Sequence, residues 1–146
     1  MTPYDTPDPV MDVDALERFM AVAFPQVDVD GKLFTFTNVE PGLARLAFTP
    51  IERHLRPGGT ISGPAMFTLA DLAAYGVIIA HIGDMALAVT TSLNINFLRK
   101  PDPGTLYGLA RLIKLGKRLA VVDVAITDQA DTLVAHATTT YSIPPR

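Results

Sequence analysis

The chain has 146 residues, 49% of them hydrophobic and 18% charged, a formal net charge of -3 and no cysteine. That length holds one core but not two, and the apolar share is too high for a disordered chain and points to surface buried between subunits, as in a homodimer or homotetramer. The negative balance excludes broad electrostatic attraction to nucleic acid or anionic lipid, and the lack of cysteine excludes a disulfide framework, a thiolate nucleophile and a Cys-ligated zinc site, a usage that fits the cytoplasm.

Residues 1–12 are acidic and proline-rich where a secretory signal would be basic and then apolar, and are expected to form a flexible leader ahead of a single domain over 13–146. Over residues 13–24, Leu16, Phe19, Met20 and Ala23 recur at helical spacing, with Asp14 placed to cap the first turn or meet its dipole. This predicts a short amphipathic helix that ends before Pro25. Residues 32–40 and 43–49 alternate as strands about a Pro41-Gly42 turn and read as a hairpin.

The stretch 56–64 holds too many glycines and prolines for a regular element, so it is a loop that delivers the chain into a helix, with Pro64 suited to the first helical position. The run that follows, to Ile82, is apolar almost all the way round and must be covered on nearly every side. It approaches the length of a membrane span, but it contains Asp71 and His81 and lacks basic flanks, which makes it the buried helix of a soluble protein. After Gly83-Asp84, residues 88–98, 106–115, 119–127 and 132–143 are rich in Val, Ile, Thr and Leu and separated by turn signals, which predicts four strands in an antiparallel meander. The order asks for an α+β domain in which an antiparallel sheet wraps around the long helix.

The run Ser62-Gly63-Pro64-Ala65-Met66-Phe67-Thr68-Leu69-Ala70-Asp71 resembles the glycine-rich turn and Leu-Ala-Asp helix of hotdog-fold acyl-CoA thioesterases of the PaaI-like family. The resemblance continues through residues 91–99, the Pro103-Gly104 turn, Leu115-Gly116-Lys117-Arg118 and residues 133–138, and covers about 33–143. It implies hydrolysis of an acyl-CoA thioester to free acid and CoA without metal or redox cofactor. Asp71 would be the catalytic carboxylate, as base or nucleophile, and the Gly63 amide the group that polarises the carbonyl. The two lie eight positions apart, roughly 12 Å along a helix axis, too far for one thioester. The family's dimer, in which each site draws on both subunits, answers that difficulty. Two departures stand out: Ser62 replaces the usual histidine and Pro64 the second glycine. They favour, as alternative, a non-catalytic acyl-CoA-binding or sensing protein. A dehydratase-like activity fits less well, because the turn offers no histidine as acid or base.

Other residues are candidates for binding. Ser62 can orient water or cap the helix, and Thr68 and Tyr75 are the polar helical neighbours of Asp71. Arg56 stands near the expected entrance, to meet the substrate's carbonyl or phosphate end or simply form a surface ion pair. Arg99, Lys100, Lys114, Lys117 and Arg118 concentrate positive charge that would suit the phosphates of CoA. Asn94 and Asn96 share one strand face, toward pocket or interface. Met66, Phe67 and Leu69, with Tyr75, would line an apolar or aryl-accepting pocket or serve packing alone. His54, His81 and His136 are scattered without metal-ligand spacing, so no metal site is expected; His54 is read as a solvated loop residue or part of the rim, and the other two as structural.

Overall fold

The computed structural model describes residues 7–145. Helix α1 (Val13–Ala23) starts at Asp12, whose carboxylate accepts the Ala15 amide at 2.8 Å, and it buries Leu16 and Met20. Asp14 lies in the first turn, beside the positive end of the dipole. The amides of Val10 and Met11 both donate to the Ala80 carbonyl, at 2.7 and 3.1 Å. Residues 10–12 are therefore docked rather than frayed, and residues 1–6 of the expected leader lie outside the described residues.

Strands β1 (Phe34–Glu40) and β2 (Leu43–Phe48) pair as the expected hairpin, turning at Gly42, whose φ of 75° belongs to the left-handed region that glycine tolerates. Helix α2 (Gly63–Ile82) is followed by β3 (Val89–Phe97), β4 (Leu106–Leu115), β5 (Leu119–Thr127) and β6 (Leu133–Ser142). All pairings are antiparallel, in the order β1-β2-β4-β5-β6-β3.

That order corrects the expected four-strand meander. Only β4, β5 and β6 follow one another in space; β3 pairs with β6 and forms a sheet edge. The connection over residues 98–105 contains Pro101 and Pro103, which cannot supply amides to a tight hairpin, and Ile61 donates to the Pro101 carbonyl at 2.9 Å. The chain is thus stitched to the loop ahead of α2 instead of folding straight back.

Alternate residues of the sheet, including Leu46, Ala110, Leu112, Val122, Val124 and Ala137, point at α2 and are sealed from solvent with it. Small residues bring helix and sheet close: a Cβ at Gly108 would sit 3.3 Å from the side chains of Leu69 and Ala73, and one at Gly76 would run into the Phe36 ring. Near the C-terminus of α2, buried His81 accepts the Gly42 amide on Nε2 at 2.8 Å while Nδ1 donates to the Val77 carbonyl at 2.7 Å. One neutral ring thus ties the β1–β2 turn to the helix. Among the described residues α2 is long and apolar enough to cross a membrane, yet most of it lies buried under the sheet. An antiparallel sheet wrapped around one long helix is the hotdog fold, as the resemblance implied.

Candidate active site

At the start of α2, Ser62 adopts extended backbone angles and its hydroxyl accepts the Ala65 amide at 3.3 Å, so it serves as the cap. Gly63 is the first helical residue. A Cβ there would come within 3.3 Å of the Phe97 ring, which leaves little room for any side chain. Its amide belongs to the first turn, where N–H groups have no intrahelical acceptor.

Two turns on, Asp71 is half-buried on the α2 face that fronts a cavity of about 840 Å³. Its Oδ1 accepts two short hydrogen bonds, from Thr90 Oγ1 and from the Tyr141 hydroxyl, both at 2.6 Å; the same hydroxyl lies 3.0 Å from the Asp71 carbonyl oxygen. Bonds of that length are those of hydroxyls to an ionised carboxylate. Tyr141 is buried, and burial followed by the Asp71 charge pushes its pKa well above the ordinary tyrosine value, so it remains a neutral donor. With Oδ1 occupied, Oδ2 takes no bond from the described residues and is not sealed from solvent. The carboxylate is thereby fixed in rotation with one oxygen held and one offered to the cavity.

Tyr75, one turn beyond Asp71, donates from its hydroxyl to the Ala86 carbonyl at 2.9 Å and meets the Phe24 ring edge-on, with centroids 5.9 Å apart. Burial, then the Asp84 charge, raises its pKa, and it forms wall rather than acid. Thr68 also lines the cavity, with its hydroxyl turned back to the Pro64 carbonyl at 3.1 Å. Phe34, Phe48, Leu72 and His54 continue the wall. Of the pocket residues expected from sequence, Phe67 and Tyr75 line the cavity, whereas Met66 and Leu69 are buried core.

Other candidates are placed elsewhere. Arg56 is exposed in the glycine-rich loop and outside the cavity, whose wall holds Arg53 instead. Asn96 is exposed on β3 and pairs in register with His136, while Leu93 and Ile95 take the core-facing positions; it does not line the cavity. The expected phosphate clamp is not assembled within one subunit. Arg99, which donates to the Leu133 carbonyl, follows the Phe97 end of β3; Lys117 and Arg118 lie in the β4–β5 turn, next to Leu119, which pairs through Ser142 with the Val89 end. Nine residues of strand, roughly 30 Å, lie between those ends. His54 is not a solvated loop residue: its ring is buried against Phe48. Among the described residues no group of three or more His, Cys, Asp or Glu side chains is gathered for a metal.

Thr90 and Tyr141, the partners of Asp71, were not legible beforehand. They stand 19 and 70 positions from it, and each sits in a strand whose pattern only says that some residues face inward.

The family model of the thioesterase superfamily matches residues 58–135. The structure of a Silicibacter sp. TM1040 protein, described provisionally as a thioesterase, superposes with a TM-score of 0.89 at 42% identity over 99% of this chain and 100% of that one. A Streptococcus mutans UA159 protein solved bound to acetyl CoA superposes with a TM-score of 0.70 at 31% identity over 77% of this chain and 90% of that one. A curated protein of Saccharolobus solfataricus that carries a provisional esterase name is 35% identical over 109 residues, 74% of this chain and 71% of its own length.

Proposed function

The chain belongs to the thioesterase superfamily, and on that premise we propose that it hydrolyses an acyl-CoA thioester to a free acid and CoA, at a site that two copies of the chain build together. The observation that carries the reading is the divided carboxylate of Asp71, with Oδ1 held by Thr90 and Tyr141 and Oδ2 open to the cavity.

The second subunit enters through β3. This edge strand exposes Val89 and Phe97 to half their area or more, which is apolar surface that a soluble protein normally covers. Within one subunit its Val89 end lies at Asp71, through Thr90, and its Phe97 end lies at Gly63. Antiparallel pairing of two such strands about a two-fold axis near their middle sets the Phe97 end of one copy beside the Thr90 end of the other. The Gly63 amide of one subunit then faces Asp71 of its neighbour, and the roughly 12 Å between them within one helix ceases to matter.

In the proposed reaction, Oδ2 takes a proton from water as the water oxygen attacks the thioester carbonyl, and the facing Gly63 amide stabilises the oxyanion. Collapse breaks the C–S bond; the thiolate of CoA leaves with the proton from Asp71, and the acid remains. Direct attack by Oδ2, with a mixed anhydride that water then opens, uses the same two groups. Quenching a single turnover with hydroxylamine separates these routes, since only the second presents an anhydride that is trapped as a hydroxamate faster than the thioester itself reacts.

The test is a panel of acyl-CoAs read with a thiol-detecting reagent on wild type and Asp71→Asn. Turnover lost on substitution supports hydrolysis. The replacement of the family's histidine by Ser62 and of its second glycine by Pro64 favours a second reading, a binding or sensing protein. Tight binding of acyl-CoA without turnover in either protein would establish that instead.

A further inference from the structure

The cavity contains one more polar side chain whose bonding is incomplete. His54 ends the short 3-10 turn Glu52–His54 and is only 8% exposed, yet it lines the same cavity as Asp71. Its Nδ1 accepts the Ile51 amide hydrogen at 2.9 Å. A ring nitrogen that accepts carries no proton, so the neutral imidazole holds its single proton on Nε2. Burial, and then the adjacent Arg53 charge, keep the pKa of the ring below the ordinary histidine value, which preserves that neutral form. No described residue accepts from Nε2, and the atom is not sealed from solvent.

The surroundings say where this donor stands relative to the chemistry. Leu72, next to Asp71 in α2, lines the cavity together with Phe34 and Phe48, whose rings stack at 4.7 Å between centroids. The His54 ring meets Phe48 edge to face, at 4.9 Å and 84°. Phe48 belongs to β2, whereas the partners of Asp71 belong to β3 and β6 at the other side of the sheet, so His54 stands across the cavity from Asp71 on a wall to which Leu72, Phe34 and Phe48 contribute apolar surface. Arg53, beside it, already binds Asp30 at 2.5 Å, so this end of the chamber offers a neutral donor rather than an uncompensated cation.

A ligand that displaces water from this N–H strands the donor unless it brings an oxygen of its own, so an oxygen at that point is favoured over a hydrocarbon. We infer that His54 selects an acyl group with an apolar body and a neutral oxygen acceptor, a hydroxyl or carbonyl, toward the end remote from the thioester. The inference rests on the thioesterase reading for the identity of the ligand and deepens it to a substrate class.

The experiment uses matched pairs, hexanoyl- and octanoyl-CoA against their ω-hydroxy counterparts, with wild type, His54→Leu and His54→Gln. The preference for the hydroxylated member, as a ratio of kcat/KM within each protein, is expected to be on the order of tenfold or more in wild type for at least one length, near parity in His54→Leu, and partly kept in His54→Gln, which retains an N–H. Parity in wild type at both lengths, or an undiminished ratio in His54→Leu, overturns the inference. Because the ratio is taken within one protein, general damage to the fold cancels. Binding of thioether analogues of the same pairs to Asp71→Asn gives a second readout that needs no turnover. Oxygen-dependent binding without hydrolysis of the thioesters in wild type sinks the thioesterase reading and leaves the role of His54 standing; hydrolysis with parity in both readouts does the reverse. Absence of binding and of turnover removes both.

Discussion

Tyr141 reaches Asp71 at two points with one hydroxyl, 2.6 Å from Oδ1 and 3.0 Å from the main-chain oxygen, across 70 positions of sequence. The last strand of the sheet thereby sets the orientation of a carboxylate on the central helix. Tyr141→Phe keeps the ring and removes the donor. The expected cost is about 2 kcal/mol in the transition state, or roughly thirtyfold in kcat, with KM little changed. A stopped assay over a range of acyl-CoA concentrations checks both, and an unchanged kcat would mean that the hydroxyl serves packing alone.

The two-subunit site makes a prediction that one-subunit chemistry does not. Asp71→Asn and Gly63→Val, the latter forcing a side chain against the Phe97 ring, are each expected to lower turnover at least a hundredfold as pure proteins. Refolded together, they form mixed dimers in which one site has an intact Asp71 from one chain and an intact Gly63 from the other. Activity should return on mixing. A mixture no more active than its two components would exclude the shared site.

Gly76→Ala tests the contact between helix and sheet. In an exposed helix this change would stabilise by about 1 kcal/mol. Here the added methyl runs into the Phe36 ring of β1, and overpacking of about 1–3 kcal/mol is expected to exceed that gain. Urea unfolding should show a lower midpoint, partly restored by Phe36→Leu in the double variant.

His81 predicts the direction of acid sensitivity. Burial lowers its pKa from 6.5, and the neutral ring accepts the Gly42 amide. As pH falls below about 6.5 the unfolded chain takes up this proton before the folded one does, so stability is full above that pH and declines below it, by up to about 1.4 kcal/mol per pH unit while only the unfolded ring is charged. His54, also shifted downward, acts with the same sign. Urea midpoints measured from neutral pH downward should fall in wild type and fall less steeply in His81→Gln; equal slopes would remove His81 as a cause.

What could be read from the sequence was local. The apolar run of α2, the hairpin and the last three strands follow from periodicity and turn residues, and Ser62 as a cap follows from its place before Gly63-Pro64. The partner of β3 did not follow, because alternation identifies a strand without saying which neighbour it takes; Pro101 and Pro103 were the available sign against a hairpin with β4. His54 was misread for a similar reason. Its neighbours Glu52, Arg53 and Arg56 suggest a wet loop, while its burial depends on Phe48, brought in by the β2–β4 pairing. The cationic residues were grouped because all lie near strand ends and turns, yet the sheet sends Arg99 and Arg118 to opposite ends.

Strand β3 is gripped at two levels of α2, by Thr90 on Asp71 and by Phe97 on Gly63. Its length is consequently a gauge. Seven positions of unbroken alternation would set the threonine and the phenylalanine on opposite faces of the pleat; the irregularity between Thr90 and Ser92 supplies the missing step that turns both to the helix, so this border keeps its measure only while that extra residue stays.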